Sequence, residues 1–260
     1  MNQSVRLSAD SVSVAFGDTP VLQDLSLALP DGQVTVIVGP NACGKSTLLR
    51  SLSRLQKVDA GQIMLDGNAI AKQRSKHVAR ALAVLPQSPS APEGITVLDL
   101  VRRGRTPHQS ALQQWSKTDA DAVARALALT GMTHNAQRAI ETLSGGQRQR
   151  AWIAMALAQD TDILLLDEPT TYLDLPHQID LLNLVKTLNQ ETGRTVAMVL
   201  HDINLAARFA DHIVALKAGK VQVQGPPAEV VNAAMMQDVF GLPCTVINDP
   251  VHGHPHVIPA

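Results

Sequence analysis

Aromatic residues are scarce: three phenylalanines, two tryptophans and one tyrosine in 260 residues. Any stacking platform for a ligand ring must therefore use Phe16, Trp115, Trp152, Tyr172, Phe209 or Phe240. Two cysteines, Cys43 and Cys244, provide no disulfide framework, and free thiols fit a reducing compartment. Apolar runs such as 34–38 and 163–166 are far too short to span a bilayer, and residues 1–10 carry no apolar signal core. The expectation is a soluble, cytoplasmic chain. Neither sign of charge dominates: 22 Lys and Arg stand against 23 Asp and Glu, interspersed along the chain, so no basic field points to nucleic acid as the main ligand. What the chain does have is a 45% hydrophobic content, enough to bury a sizeable core as one large domain or a domain with a sub-domain.

The most informative stretch is Gly39-Pro40-Asn41-Ala42-Cys43-Gly44-Lys45-Ser46-Thr47. It matches GxxxxGK[ST], with an apolar strand (34–38) before it and an apolar helix start after it. Glycines let consecutive backbone amides turn inward toward a polyphosphate, assisted by the positive end of the following helix. Lys45 adds a cation for the β and γ phosphates, and the Ser46 hydroxyl is placed to hold Mg²⁺.

Around this loop the chain punctuates itself. Alternation and turn signals predict strands in 5–38, an antiparallel start; Phe16, at a turn, is the candidate to stack on an adenine ring. A helix is expected over 45–55 and short strands over 61–67 and 81–85, the last ending at Pro86-Gln87, where the Gln87 amide can reach a metal-bound water or a γ-phosphate. From 88 to 143 prolines mark loops while 97–105 and 119–129 have helical periodicity, which reads as an inserted helical sub-domain. The basic run Arg102-Arg103-Gly104-Arg105 reads as a solvated helix end that could also meet an acidic partner.

Leu143-Ser144-Gly145-Gly146-Gln147 opens the next helix: Ser144 is an apt N-cap, and the bare amides of Gly145 and Gly146 make a second anion site. Next, 163–166 predicts a buried parallel strand ending in Asp167-Glu168-Pro169. Ligands bind at such carboxyl ends; Asp167 can hold Mg²⁺ through water, and Glu168 can orient or deprotonate the attacking water. Leu173-Asp174 leads into a long helix (178–190), and a further strand (195–200) ends at His201, in reach of the γ-phosphate and the catalytic carboxylate. The remainder predicts a hairpin over 213–224 turning at Ala218-Gly219, then helices and a solvated, Pro-containing tail in which His252, His254 and His256 alternate.

In order and spacing this set resembles an ABC-type ATPase subunit along essentially the whole chain. The resemblance implies an α/β fold, a P-loop NTPase (RecA-like) core with an N-terminal antiparallel β sub-domain and an inserted α-helical sub-domain. It divides residues 1–260 into a catalytic core (1–87 and 144–240), a helical sub-domain (88–143) and a C-terminal tail (241–260). It makes 39–47 the Walker A loop, Gln87 the Q-loop residue, 143–147 the signature, 163–167 Walker B, Leu173-Asp174 the D-loop, His201 the switch histidine and Phe16 the adenine-stacking aromatic. ATP and Mg²⁺ are the implied ligands. The implied assembly is a homodimer, each ATP lying between Lys45 and Ser46 of one copy and residues 144–147 of the other. Membrane permease subunits would dock on the helical sub-domain, with a substrate-binding protein acting indirectly, at the cytoplasmic face of the inner membrane.

Finer stretches, among them 103–109, 147–154, 167–180 and 241–244, are similar to the ATPases of ferric-siderophore importers of the ferric enterobactin type. Cobalamin and haem importer ATPases share the core motifs. Rivals from other classes are a soluble mechanical ABC protein acting on ribosomes or DNA, which usually needs tandem cassettes or coiled coils, and a small P-loop kinase, which would lack the Ser144-Gly145-Gly146 motif. Two features of the loop carry their own expectations. Ala42 stands where the family usually has glycine, so a positive φ there would cost roughly 1 kcal/mol or more and lower nucleotide affinity. Cys43, near positive amides, is expected to favour its thiolate and to react with a maleimide unless ATP protects it.

Overall fold

A computed structural model describes residues 5–110, 115–171 and 173–260, so Tyr172 lies outside the described residues. Strands β1 (Leu7–Phe16) and β2 (Thr19–Leu29) form a hairpin turning at Gly17, and β1 also pairs antiparallel with β4 (Ala60–Leu65), which continues into β5 (Asn68–Ala69). Their order is β2-β1-β4-β5. The second sheet runs β10-β9-β3-β8-β7-β6, with β3 (Val34–Val38), β6 (Leu82–Leu85), β7 (Ile163–Leu166), β8 (Thr195–Val199) and β9 (His212–Lys217) parallel. Strand β10 (Lys220–Gly225) closes the edge antiparallel to β9.

The apolar runs are continuous because both faces of this sheet are covered. Side chains alternate between two cores: Val34, Val36 and Val38 of β3 and Leu164 and Leu166 of β7 join one, while Ile37, Ile163 and Leu165 join the other. The second core is shared with α1 (Lys45–Leu52), α2 (Ser75–Ala81) and the antiparallel sheet; the first is shared with α3 (Val97–Arg103), α4 (Lys117–Leu129), α5 (Gly145–Ala158) and α6 (Leu175–Thr192). Helix α1 stops at Leu52 rather than 55, because Arg54 takes a left-handed φ of 62°.

The helical segment is fastened by an ion pair that the sequence did not announce. Arg105 is buried, against the expectation that its basic run is a solvated helix end; only Arg102 and Arg103 are exposed. Its Nε donates to Asp119 Oδ1 at 2.8 Å and its Nη1 to the Ala158 carbonyl at 2.8 Å, tying the end of α3 to α4 and α5. Asp119 also closes a capping box with Ser116. Burial raises its carboxyl, but hydrogen bonds from Ser116 and Arg105 outweigh this and hold it down at about 2. The sign follows: the pair's contribution is complete above the unfolded carboxyl range and is lost as pH falls toward about 2. Asp119→Ala should destabilise the fold by about 3–5 kcal/mol at neutral pH, since it strands a buried guanidinium. Urea unfolding of both forms measures this.

The C-terminal tail is mostly exposed, as expected, but it is an ordered hairpin anchored on the core. After the β9–β10 hairpin, β11 (Cys244–Asn248) and β12 (Pro255–Pro259) pair antiparallel, and Val257 is buried against the main core. They dock on α7 (Ile203–Phe209), where Asn204 donates to the Val257 carbonyl at 3.2 Å and accepts from its N–H at 2.7 Å. Burial of Pro255 and Val257 anchors the pair, an arrangement that the prolines obscure in the sequence. His252 and His254 have ring centroids 5.9 Å apart, and among the described residues no group of three or more His, Cys, Asp or Glu could hold a metal.

Candidate active site

The strand order β3-β8-β7-β6 brings four separate segments to one edge: the loop after β3, His201 after β8, Asp167-Glu168 after β7 and Gln87 after β6. These are the carboxyl ends of parallel strands, where open α/β sheets bind ligands.

Gly39 is obligatory, since a Cβ there would lie 2.3 Å from the Leu216 carbonyl oxygen. Gly44 holds the N-cap of α1 at a φ of 104°. Lys45 is buried, and its Nζ donates to the carbonyls of Gly39 at 2.9 Å and Pro40 at 2.8 Å, so the ammonium is held across the loop's own curve. Ala42 has a φ of 60°, the left-handed conformation that the Gly-rich pattern implied. The folded backbone carries the strain of that conformation. Ala42→Gly should therefore stabilise the protein by about 0.5–1 kcal/mol, after subtracting glycine's entropy. Parallel unfolding curves of the two forms check this.

The expectation for Cys43 is overturned. Its side chain is buried in the core cluster that contains Leu22, Leu48 and Leu49, and burial pushes its thiol up, outweighing the Lys45 charge.

A cavity of about 280 Å³ lies over the loop, lined by Phe16, Val21, Asn41, Ala42, Gly44, Lys45, Ser46, Thr47, Glu168 and His201. Phe16 is 54% exposed and borders it, as a stacking side chain must. Ser46 donates to Asp167 Oδ1 at 2.8 Å. Among the described residues the other carboxylate oxygen of Asp167 is buried without a hydrogen-bond partner, with Arg50 Nε 3.9 Å away, and burial raises this carboxyl against the opposing effects of Ser46 and Arg50. A hydroxyl beside an unpartnered carboxylate oxygen is a hard-oxygen donor set of the kind Mg²⁺ takes.

Glu168 has a left-handed φ of 51° and is the hub of a network. His201 Nε2 is 2.7 Å from its Oε1, while Gln87 Nε2 at 2.6 Å and Thr171 Oγ at 3.1 Å donate to its Oε2. Gln87, Glu168 and His201 were legible in the sequence; Thr171 was not. Its signal was a hydroxyl residue three positions after a carboxylate in a tight turn, closed here by Thr171 N–H donating to the Glu168 carbonyl at 3.2 Å.

The structure does not bring the other predicted residues to this cavity. Ser144 and Gln147 form a reciprocal capping box at the start of α5, and Ser144, Gly145 and Asp174 are exposed. Asp174 pairs with His177 Nδ1, a hydrogen bond that lowers its carboxyl, and the His177 ring packs so close to Gly146 that a Cβ there would lie 2.7 Å from it.

This fold with a P-loop, a buried metal-competent carboxylate and an adjoining acidic hub defines a nucleotide-hydrolysing P-loop enzyme. The ABC transporter family model matches residues 22–171, more than half of the chain, and the chain belongs to that family as an ATP-binding subunit. It is 53% identical over 253 residues to the petrobactin import ATP-binding protein FpuD of Bacillus anthracis, covering 97% of this chain and 93% of that one. It is 52% identical over 260 residues to the ferric enterobactin transport ATP-binding protein FepC of Escherichia coli, covering 100% and 96%. Among solved structures, a dimeric ATP-binding cassette in a post-hydrolysis state with ADP and Pi aligns with a TM-score of 0.73 at 28% identity, covering 85% of this chain and 98% of that one. The protein is an ABC-type ATPase that binds nucleotide. Among the described residues no helix is long and apolar enough to cross a membrane.

Proposed function

We propose that this chain hydrolyses ATP to drive a membrane importer of ferric siderophores, working as a homodimer docked on permease subunits at the cytoplasmic face of the inner membrane. The observation that carries the mechanism is that the cavity holds Lys45, Ser46, Glu168 and His201 while Ser144 and Gly145, at the start of the signature helix, stand exposed elsewhere on the same chain. A half-site of each kind on one chain is completed by a second copy.

ATP lies with its ring on Phe16 and its phosphates among the amides of 39–47. Lys45 transfers its hydrogen bonds from the loop carbonyls to the β and γ phosphates, and the partner's signature amides cover the γ-phosphate from the other side. Ser46 and Asp167, with Gln87 near by, would hold Mg²⁺, which would supply charge neutralisation at the phosphates. Glu168 takes the proton of the attacking water, and His201 orients both. Asp174, at the start of α6, lies beside the seam between copies. Gln87 connects this site to the helical segment 88–143, which presents the permease-facing surface; a substrate-binding protein acts through the permease.

The cargo reading rests on the siderophore relatives, which exceed half identity over nearly the whole chain. Uptake of labelled ferric siderophores, with cobalamin and haem as controls, in cells whose only copy carries Glu168→Gln tests it. Selective loss of a ferric chelate supports it; loss of only cobalamin or haem uptake replaces the cargo, and intact transport of all three contradicts the transport role.

A further inference from the structure

The carboxylate of Glu168 has two oxygens in different surroundings. Oε2 accepts two hydrogen bonds, from Gln87 and from Thr171, which use both of its lone pairs. Among the described residues, Oε1 lies beside His201, 2.7 Å from its Nε2. The Gln87 bond comes from a different strand end and is the one that must change if Gln87 responds to nucleotide. The Thr171 bond is local: the turn that fixes the Glu168 backbone in its left-handed conformation also delivers the Thr171 hydroxyl to Oε2. A carboxylate on three rotatable bonds would otherwise swing, carrying both oxygens away from these positions.

We propose that Thr171 is a positioning residue for hydrolysis, one that pins Oε2 and thereby assigns Oε1, on the His201 side, as the proton acceptor. This rests on the reading of Glu168 as the general base. In the step, the water oxygen forms a bond to the γ-phosphorus, and the bond from phosphorus to the β–γ bridging oxygen breaks with its electron pair leaving on ADP. The proton of the water passes to Glu168 Oε1. With Oε2 pinned, the acceptor lone pair stays beside His201 without a conformational search in each turnover.

The test compares Thr171→Ser, Thr171→Val and Thr171→Ala with the parent and with Glu168→Gln, measuring ATP turnover and nucleotide affinity. Thr171 is half-buried, and Val keeps its volume, so loss of the hydroxyl is separated from loss of packing. Val and Ala should lower kcat about 10-fold with KM for ATP within about twofold, and Ser should retain kcat within about twofold. If Ser falls as far as Ala, or if Val turns over like the parent, the hydroxyl has no positioning role while the reading of Glu168 stands. Full turnover by Glu168→Gln would overturn both.

Discussion

Glu168→Gln should bind ATP and hold two copies together, while steady-state hydrolysis falls by at least about 10²-fold, the range for loss of a general base. The amide matches the carboxylate in volume, so the turn and cavity persist. The donors decide its orientation: Gln87 and Thr171 both donate toward Oε2, so the amide oxygen belongs there and the –NH₂ group is turned to the Oε1 position beside His201. The site then carries a donor where the water needs an acceptor. Phosphate release, nucleotide titration and sedimentation with ATP read the three parts of this outcome. A variant that hydrolyses at the parent rate would remove Glu168 from the mechanism.

Lys45→Ala should weaken ATP binding by about 10²-fold or more, through loss of charge-assisted hydrogen bonds to the phosphates. The effect has a second source in the free protein. The Lys45 ammonium spans the loop by donating to Gly39 and Pro40, and its removal leaves those carbonyls without that partner. Lys45→Met, which keeps much of the stem, should bind as weakly as alanine, because the charge and donors are what the phosphates use. Lys45→Arg should not restore affinity, since a planar fork does not replace a compact ammonium among converging amides. Fluorescent-nucleotide titration measures all three, and parent-like affinity in Lys45→Met would show that the ammonium does not hold phosphate.

What the sequence made legible was whatever a contiguous pattern fixes in the backbone. Residues 39–47 and 143–147 dictate a loop and a capped helix start, and apolar runs place Gln87, Glu168 and His201 at strand ends that parallel pairing then brings together. Contacts set by tertiary packing stayed hidden. Arg105 looks like a solvent-facing cation until α4 and α5 close over it, and Cys43 looks exposed in a loop until its thiol is seen turned into the core. Thr171 was obscure for a different reason, since a threonine in a turn has many local partners and only the left-handed backbone of Glu168 selects this one. The hairpin of β11 and β12 was missed because its prolines and glycines outweigh a short alternation whose partner, Asn204, is distant in sequence.

The central claim is that each active site is divided between two copies. The direct measurement mixes Lys45→Ala subunits with Gly145→Asp subunits, the second placing a carboxylate at the exposed signature turn where the γ-phosphate would sit, at a helix start that tolerates it. Each variant alone should be inactive. In the mixed dimer one site has an intact Lys45 from one copy and an intact signature from the other, so ATPase activity should return to about a quarter of the parent rate on random pairing. No recovery on mixing, with dimers present, would contradict the divided site.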